Sequence, residues 1–320
     1  MLKMGFIMDP IGAVNVDADT TFSLMLAAQA RGHEVHYLDM RHMTFDRGEV
    51  YGVSQRCTVQ RDPASPATLE APVYHPLHEL DVLFMRKDPP FDIAYLHACH
   101  LLELVEQQGT VVINRPTGLR IANEKLYALH FTEVIPDTLV TRDHQRIRDF
   151  MKAHDGKCVV KPVDGHGGDG VLVVSDDDRN LGALLELATK NQRERVICQQ
   201  YVPEARQGDK RILLLGGEPL GGILRVPRAD ENRGNIHVGG TVHKAELTER
   251  DRYICDIVGP RLVHDGLFFV GIDVLGDYLT EVNVTSPTGI QELGRLNGFD
   301  PSDETIAWIE RYHPEYLHIH

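Results

Sequence analysis

Phe268-Phe269-Val270-Gly271-Ile272-Asp273-Val274-Leu275-Gly276-Asp277-Tyr278-Leu279-Thr280-Glu281-Val282-Asn283-Val284-Thr285-Ser286-Pro287-Thr288-Gly289 reads as a hairpin and its exit. Phe268–Leu275 is rich in β-branched and aromatic residues, Gly276-Asp277-Tyr278 is turn chemistry, and Leu279–Val284 is a second strand. With a three-residue loop, Asp273 lies opposite Glu281. Strand side chains alternate faces, so Glu281 and Asn283 share one face and Asp273 joins them across the ladder. Ile272, Val274, Val282 and Val284 take the other face, which is core. Two carboxylates and a carboxamide oxygen at hairpin spacing suit a hard divalent cation such as Mg²⁺ (or Mn²⁺), which also binds phosphate oxygens. A two-residue loop would break this alignment.

Outward from the hairpin, 320 residues allow two or three domains with substantial cores. Apolar content of 42% and charged content of 25% are ordinary for globular chains. The net charge of −14 argues against a nucleic-acid surface. Cys57, Cys99, Cys158, Cys198 and Cys255 are scattered without a CxxC pair, which indicates neither a zinc site nor a disulfide framework. The N-terminus reads as a first strand and loop, and no apolar stretch approaches membrane-spanning length. The expectation is a reduced, cytoplasmic protein with no membrane partner. The 17 histidines show no metal-ligand spacing.

Residues 1–122 alternate strands and helices: strands at Leu2–Met8, Glu34–Leu38, Val82–Met85 and Thr110–Ile113, helices at Asp19–Arg31 and Leu96–Gln108, with short strands and loops over 44–79. This is a doubly wound parallel pattern, whose ligands sit at the carboxyl ends of strands. Asp9 and the Arg86–Asp88 loop fall there, and Arg86 beside a diproline turn offers a fixed guanidinium for a carboxylate. Asn123–Phe131 reads as a short helix carrying Lys125. The strand Val159–Val163 runs through Gly165, Gly167, Gly168 and Gly170 into a second strand, Val171–Val174. The glycines satisfy GxGxxG, but a strand follows where a dinucleotide fingerprint needs a helix. A glycine-rich flap, whose N–H groups close over polyphosphate with Lys161 beside it, is the better reading. Pro227–Lys244 is long, polar and glycine-containing, with Arg228, Arg233 and Asn235, which predicts a lid. Thr248–Asp265 and Pro301–Arg311 read as helices, the second without visible chemistry.

Taken together, Met8-Asp9-Pro10, MRKDPPFD at 85–92, Asn123-Glu124-Lys125-Leu126, VKPVDGHGG at 160–168, Gln200-Tyr201-Val202-Pro203, Gly208-Asp209-Lys210-Arg211, Arg233-Gly234-Asn235, Gly271-Ile272-Asp273 and TEVNVTSPT at 280–288 closely resemble the bacterial glutathione synthetases of the ATP-grasp superfamily. The resemblance runs in order over about residues 1–295, and MRKDPPFD and TEVNVTSPT are its specific pieces. It implies an α/β and α+β fold: an N-terminal doubly wound domain (1–122), then an ATP-grasp pair comprising a small lid subdomain (123–202) and a C-terminal subdomain with the metal hairpin (203–320). It implies ATP between two antiparallel sheets. Lys125 and Lys161 would meet its phosphates under Gly165, Gly167 and Gly168. Gln199, Gln200, Tyr201 and Val202 would line the adenine, with Asp209 on the ribose and Arg211 also on the nucleotide side. Asp273, Glu281 and Asn283 would hold Mg²⁺. Arg225 and Arg233, with Lys161, would serve catalysis at the transferring phosphate. Asp9, Arg86, Asn235, Ser286 and Thr288 would face the substrates, γ-glutamylcysteine and glycine, which the family joins. A homo-oligomer, dimer or tetramer, is expected.

The chain departs from the family at His166, where Met is usual, in a lid less rich in glycine, and after Gly298. The rival readings are another ATP-grasp amine ligase, against which MRKDPPFD and the Ser-Pro-Thr segment argue, and a silent ATP-binding module, against which Lys125, Lys161, Glu281 and Asn283 argue.

Overall fold

The protein is seen in a computed structural model that describes residues 1–165, 167–227 and 240–319, residues 314–319 by backbone alone. Arg233, Asn235 and most of the expected lid lie outside the described residues, as does His166.

The N-terminal sheet is built on β1 (Lys3–Ile7), with β2 (Glu34–Leu38) and β7 (Val82–Met85) parallel on either side and β8 (Val111–Ile113) parallel beyond β7. Residues 44–79 hold the expected short strands and loops, with one long strand beyond that expectation. They contain β3 (Thr44–Asp46), β5 (Ala67–Leu69), β6 (Val73–Pro76) and an 11-residue strand, β4 (Glu49–Val59), all antiparallel extensions of the sheet. Val50, Gly52, Ser54, Cys57 and Val59 of β4 are buried. Gly52 and Ser54 carry little hydrophobic signal, so the period-two pattern was hard to read.

Helix α1 (Thr20–Ala30) opens on Asp19, whose side chain accepts from Phe22 N at 2.7 Å. It is buried on nearly every side because α8 (Pro301–Ile319) covers its outer face, with Ser23 and Ser302 hydroxyls 2.7 Å apart and Arg31 paired to Asp303 and Glu310. That terminal helix runs eight residues past the expected Arg311 and closes the core through Trp308 and Tyr312 against Phe268. Helix α2 (Ile93–Glu106) is capped by Asp92, and α3 (Pro116–Ile121) starts on a proline.

A second, antiparallel sheet has the order β11-β10-β12-β9: β9 (Thr138–Thr141), β10 (Lys157–Pro162), β11 (Leu172–Ser175) and β12 (Val196–Gln200), flanked by α4 (His144–Ala153) and α5 (Leu181–Ala188). The glycine loop does connect two antiparallel strands, β10 and β11. The Asn123–Phe131 stretch is a turn and a 3₁₀ segment, Tyr127–His130, so Lys125 stands on a turn rather than a helix.

The third sheet, β15-β14-β13-β16-β17, comprises β13 (Asp209–Leu215), β14 (Glu218–Val226), β15 (Thr241–Ala245), β16 (Phe269–Leu275) and β17 (Tyr278–Asn283). β15 lies within the run read as lid; Thr241–Lys244 instead pair with Ile223–Val226 as an edge strand. Helix α6 (Glu249–His264) begins with a capping box between Thr248 and Asp251, and α7 (Ile290–Asn297) follows the hairpin exit. The first and third sheets share one apolar interior: Ile7, Leu83 and Val112 pack in the same cluster as Ile212, Val270 and Val282. The second sheet keeps a small core of its own, confined to residues 147–198 among the fully buried positions.

Candidate active site

The hairpin of β16 and β17 has a two-residue turn, Gly276-Asp277, because Leu275 pairs with Tyr278. The expected three-residue loop is therefore wrong, yet Asp273 still pairs with Glu281. A bulge makes up the difference: Val274 pairs with Leu279, so Thr280 is the extra residue, and its hydroxyl donates to Asp273 O at 3.1 Å.

Asp273 is 4% exposed and is held by two arginines. Arg211 donates through Nε to Oδ1 (2.5 Å) and through Nη2 to Oδ2 (3.0 Å), and Arg225 Nη2 lies 2.9 Å from Oδ2. Arg225 also pairs with Asp209. Gly271 makes room for this: a Cβ there would come within 3.0 Å of Arg211 Cδ and of Pro287 Cβ. Burial works against the charge on Asp273, but Arg211 and Arg225 outweigh it and hold the carboxyl below the usual range. For Asp209, burial wins over Arg225, and Asp273 adds to it, so its carboxyl is raised. Asn283 donates its amide to Gly271 O (3.1 Å) and Asp273 Oδ2 (3.3 Å), which makes Oδ1 its metal-facing option. Among the described residues no three His, Cys, Asp or Glu side chains form a metal-binding group. A cation here would rest on Glu281 and Asn283, with Asp273 available only by loosening a guanidinium.

Facing this acidic wall is a basic one. Lys161 Nζ donates to Gln199 Oε1 at 2.7 Å, and Lys125 Nζ lies 3.1 Å from Glu281 Oε1 and donates to Gly165 O. Burial pulls the Lys161 ammonium below the ordinary lysine range; Glu281 opposes this and Lys125 adds to it. At Gly165 a Cβ would meet Pro162 Cγ at 2.6 Å, so the loop packs over the strand only with glycine there. A cavity of ≈ 840 Å³ lies between the walls. It is lined by Lys125, Lys161, Gly165, Gly168, Gln199, Gln200, Tyr201, Val202, Asp209, Arg225, Asp273 and Glu281, as well as Asp169.

The model of the prokaryotic glutathione synthetase N-terminal domain matches residues 2–120, and that of the family's ATP-grasp domain matches residues 124–298. The chain belongs to the prokaryotic glutathione synthetase family. It is an ATP-dependent carboxylate–amine ligase that forms glutathione from γ-glutamylcysteine and glycine. It is 48% identical over 316 residues to the glutathione synthetase of Gloeobacter violaceus, covering 97% of each chain. It is 43% identical over 310 residues to that of Coxiella burnetii, covering 97% of this chain and 96% of the relative. Among solved structures, D-cycloserine synthetase DcsG aligns with a TM-score of 0.67 at 15% identity over 95% of this chain and 98% of that one. The ATP-grasp ligase PsnB complexed with precursor peptide PsnA2 and AMPPNP aligns with a TM-score of 0.62 at 17% identity over 97% of each. At such identities the structural matches speak for the shared fold alone.

Within this family member, several residues singled out from sequence do not line the cavity. Arg211 is not among the lining residues; it stands behind Asp273 and also donates to Thr288 O at 3.3 Å. Gly167 and Asn283 do not line it either. Asp9, Arg86, Ser286 and Thr288 gather instead at a seam between the first sheet and the hairpin exit. Arg86 is 4% exposed and donates to Thr21 Oγ1 (3.1 Å) and Pro287 O (2.9 Å) while lying over the Phe269 ring. Its burial pushes the guanidinium down from its ordinary value. Asp9 pairs with Lys87 at 2.9 Å and accepts from Asp88 N at 3.1 Å.

Asn114 escaped the sequence reading. Its Oδ1 accepts from Phe268 N and Phe269 N, and its Nδ2 donates to Phe269 O and Val284 O, all at 2.7–2.9 Å, so one buried amide pins both ends of the hairpin to β8. Its only sequence signal was a polar residue directly after an apolar strand.

Proposed function

We propose that the cleft between the second and third sheets holds ATP and runs the family reaction through an acyl phosphate. The cysteinyl carboxylate of γ-glutamylcysteine takes the γ-phosphoryl group and ADP forms; the glycine amine then attacks the acyl carbon and phosphate leaves. One observation carries this: a single cavity brings Lys125, Lys161 and Arg225 around the same volume as Asp273 and Glu281. Phosphoryl transfer needs positioning and charge neutralisation more than a covalent nucleophile. Lys125 and Lys161 neutralise phosphate oxygens, the Gly165–Gly168 loop closes over them, and Gln200, Tyr201 and Val202 face the base. Gln199 orients Lys161, and Asp209 meets the ribose. Arg225, its Nε and Nη2 held by Asp209 and Asp273, would meet the transferring phosphoryl group through Nη1. Arg233 and Asn235 are assigned beside it on family likeness alone. Asp9, Arg86, Ser286 and Thr288 form the peptide side.

Glu281 and Asn283 would hold Mg²⁺ or Mn²⁺, with Asp273 joining by giving up a guanidinium contact. Such an ion, when bound, draws negative charge from the phosphate oxygens. We read residues 1–122, 123–202 and 203–320 as the three structural units, and the protein as cytoplasmic and homo-oligomeric. Support for a reducing compartment is that all five cysteines are buried free thiols. No helix among the described residues is long and apolar enough to cross a membrane. The test is to mix enzyme, Mg·ATP, γ-glutamylcysteine and amine-labelled glycine. Labelled glutathione with equal ADP and phosphate is expected; ADP appearing only with another carboxylate–amine pair would overturn the substrate assignment.

A further inference from the structure

Glu124 lies one residue before Lys125 and does not line the nucleotide cavity. Its main-chain oxygen accepts from Val282 N at 2.9 Å. Its Oε1 accepts from Val284 N (3.2 Å), Thr285 N (3.3 Å) and Thr285 Oγ1 (2.8 Å). One residue on, Lys125 reaches Glu281 and Gly165. The turn that presents this pair is fixed by Asn123 Oδ1, which accepts from Lys125 N and Leu126 N. Thr285 is 3% exposed and leads directly into Ser286-Pro287-Thr288, whose Pro287 carbonyl is held by Arg86. Neighbouring residues thus grip the nucleotide side and the hairpin exit at once.

Burial, with Glu281 adding to it, raises the Glu124 carboxyl, so keeping a carboxylate here is costly unless its hydrogen bonds do work. All three partners of Oε1 are donors, and none belongs to the cavity lining. We propose that Glu124 is a positioning residue for the peptide side of the reaction: it sets the Thr285–Thr288 loop, and with it the γ-glutamylcysteine subsite, in register with the nucleotide lysines. This rests on the assignment of Ser286 and Thr288 to the peptide.

The experiment compares Glu124→Ala, Glu124→Gln, Thr285→Val and Ser286→Ala, measuring KM for γ-glutamylcysteine, kcat, its pH profile, and Mg·ADP affinity by calorimetry. Glu124→Ala should raise the peptide KM on the order of 10- to 100-fold, the usual cost of losing charge-assisted contacts, with Mg·ADP affinity unchanged. Glu124→Gln should recover most of the loss, because the amide oxygen accepts from the same three donors. Thr285→Val, which removes one donor, should raise KM by about 5-fold. If Ser286→Ala raises KM and Glu124→Ala does not, the positioning role is wrong and the subsite stands. If Ser286→Ala is silent, the subsite assignment itself fails. Glutamine as damaging as alanine, with a limb of the kcat profile lost, would make Glu124 a reacting acid or base and overturn the proposal. So would loss of Mg·ADP affinity equal to the loss in KM.

Discussion

The two walls of the cleft carry opposite charges and are built in opposite ways. The acidic wall, on the third sheet, is a closed network in which Asp209, Asp273, Arg211 and Arg225 satisfy one another. It sits on a core shared with the N-terminal sheet. The basic wall has Lys161 on the second sheet, with a hydrogen bond to Gln199, over a core limited to residues 147–198. On the third sheet a ligand must draw Arg225, Asp209 or Asp273 out of pairs they already make, whereas Lys161 is held by a neutral amide. Removing one partner of such a buried pair is costly, because it leaves a charge uncompensated away from water. A buried ammonium held by a neutral amide keeps its charge for a phosphate.

The largest effect is expected where the walls meet. Glu281→Gln, nearly isosteric, should lower ADP release by on the order of 100-fold or more with the fold intact, since it removes the carboxylate that would hold the divalent cation against the phosphates. Normal turnover at limiting Mg²⁺ would remove Glu281 from that role. Next comes the contrast itself. Asp273→Ala takes away the carboxylate that Arg211 pairs with and one of the two that hold Arg225, and should cost about 3–5 kcal/mol, read as a lower melting temperature. Lys161→Met should leave melting nearly unchanged and weaken Mg·ATP binding by about 10- to 100-fold. Equal melting losses in the two variants would mean that the two walls are held in the same way.

A smaller effect is opposite pH responses. The Asp273 carboxyl is lowered, so its stabilisation is complete above the ordinary 3.8 and is lost as pH falls below that toward its own value. Asp273→Asn should flatten that acid limb in pH-dependent unfolding. The Lys161 ammonium is also lowered, from 10.5, so nucleotide affinity should fall as pH rises through its depressed value. Fold stability at that site should rise over the same range, because the unfolded chain still binds the proton. Lys161→Arg should lose the alkaline limb in a calorimetric titration. The smallest expected difference is in amide exchange. Val160 and Cys198, in the small core, should exchange ahead of Ile212 and Val270, in the shared one; the reverse order would mean the second sheet is not the looser unit.

Sequence alone determined whatever is written in local pattern or in contiguous motif. The strand–glycine–strand flap followed from a loop that runs into β-branched residues. The parallel core β2-β1-β7-β8 followed from alternating apolar runs and helix stops. The pairing of Asp273 with Glu281 was legible too, although the turn length was misread, because one residue fewer in the turn is offset by one extra at Thr280. Tertiary structure decided what depends on partners distant in the chain. No local signal says that Arg211 and Arg225 close on Asp273, that Arg86 is buried against Pro287, or that Asn114 and Glu124 tie down Val284 and Thr285. Those partners are chosen by how sheets stack and which polar groups lose water together, and a buried donor must find its acceptor wherever the fold brings one. The same holds for α1, whose all-round burial depends on α8 arriving from the other end of the chain to cover it.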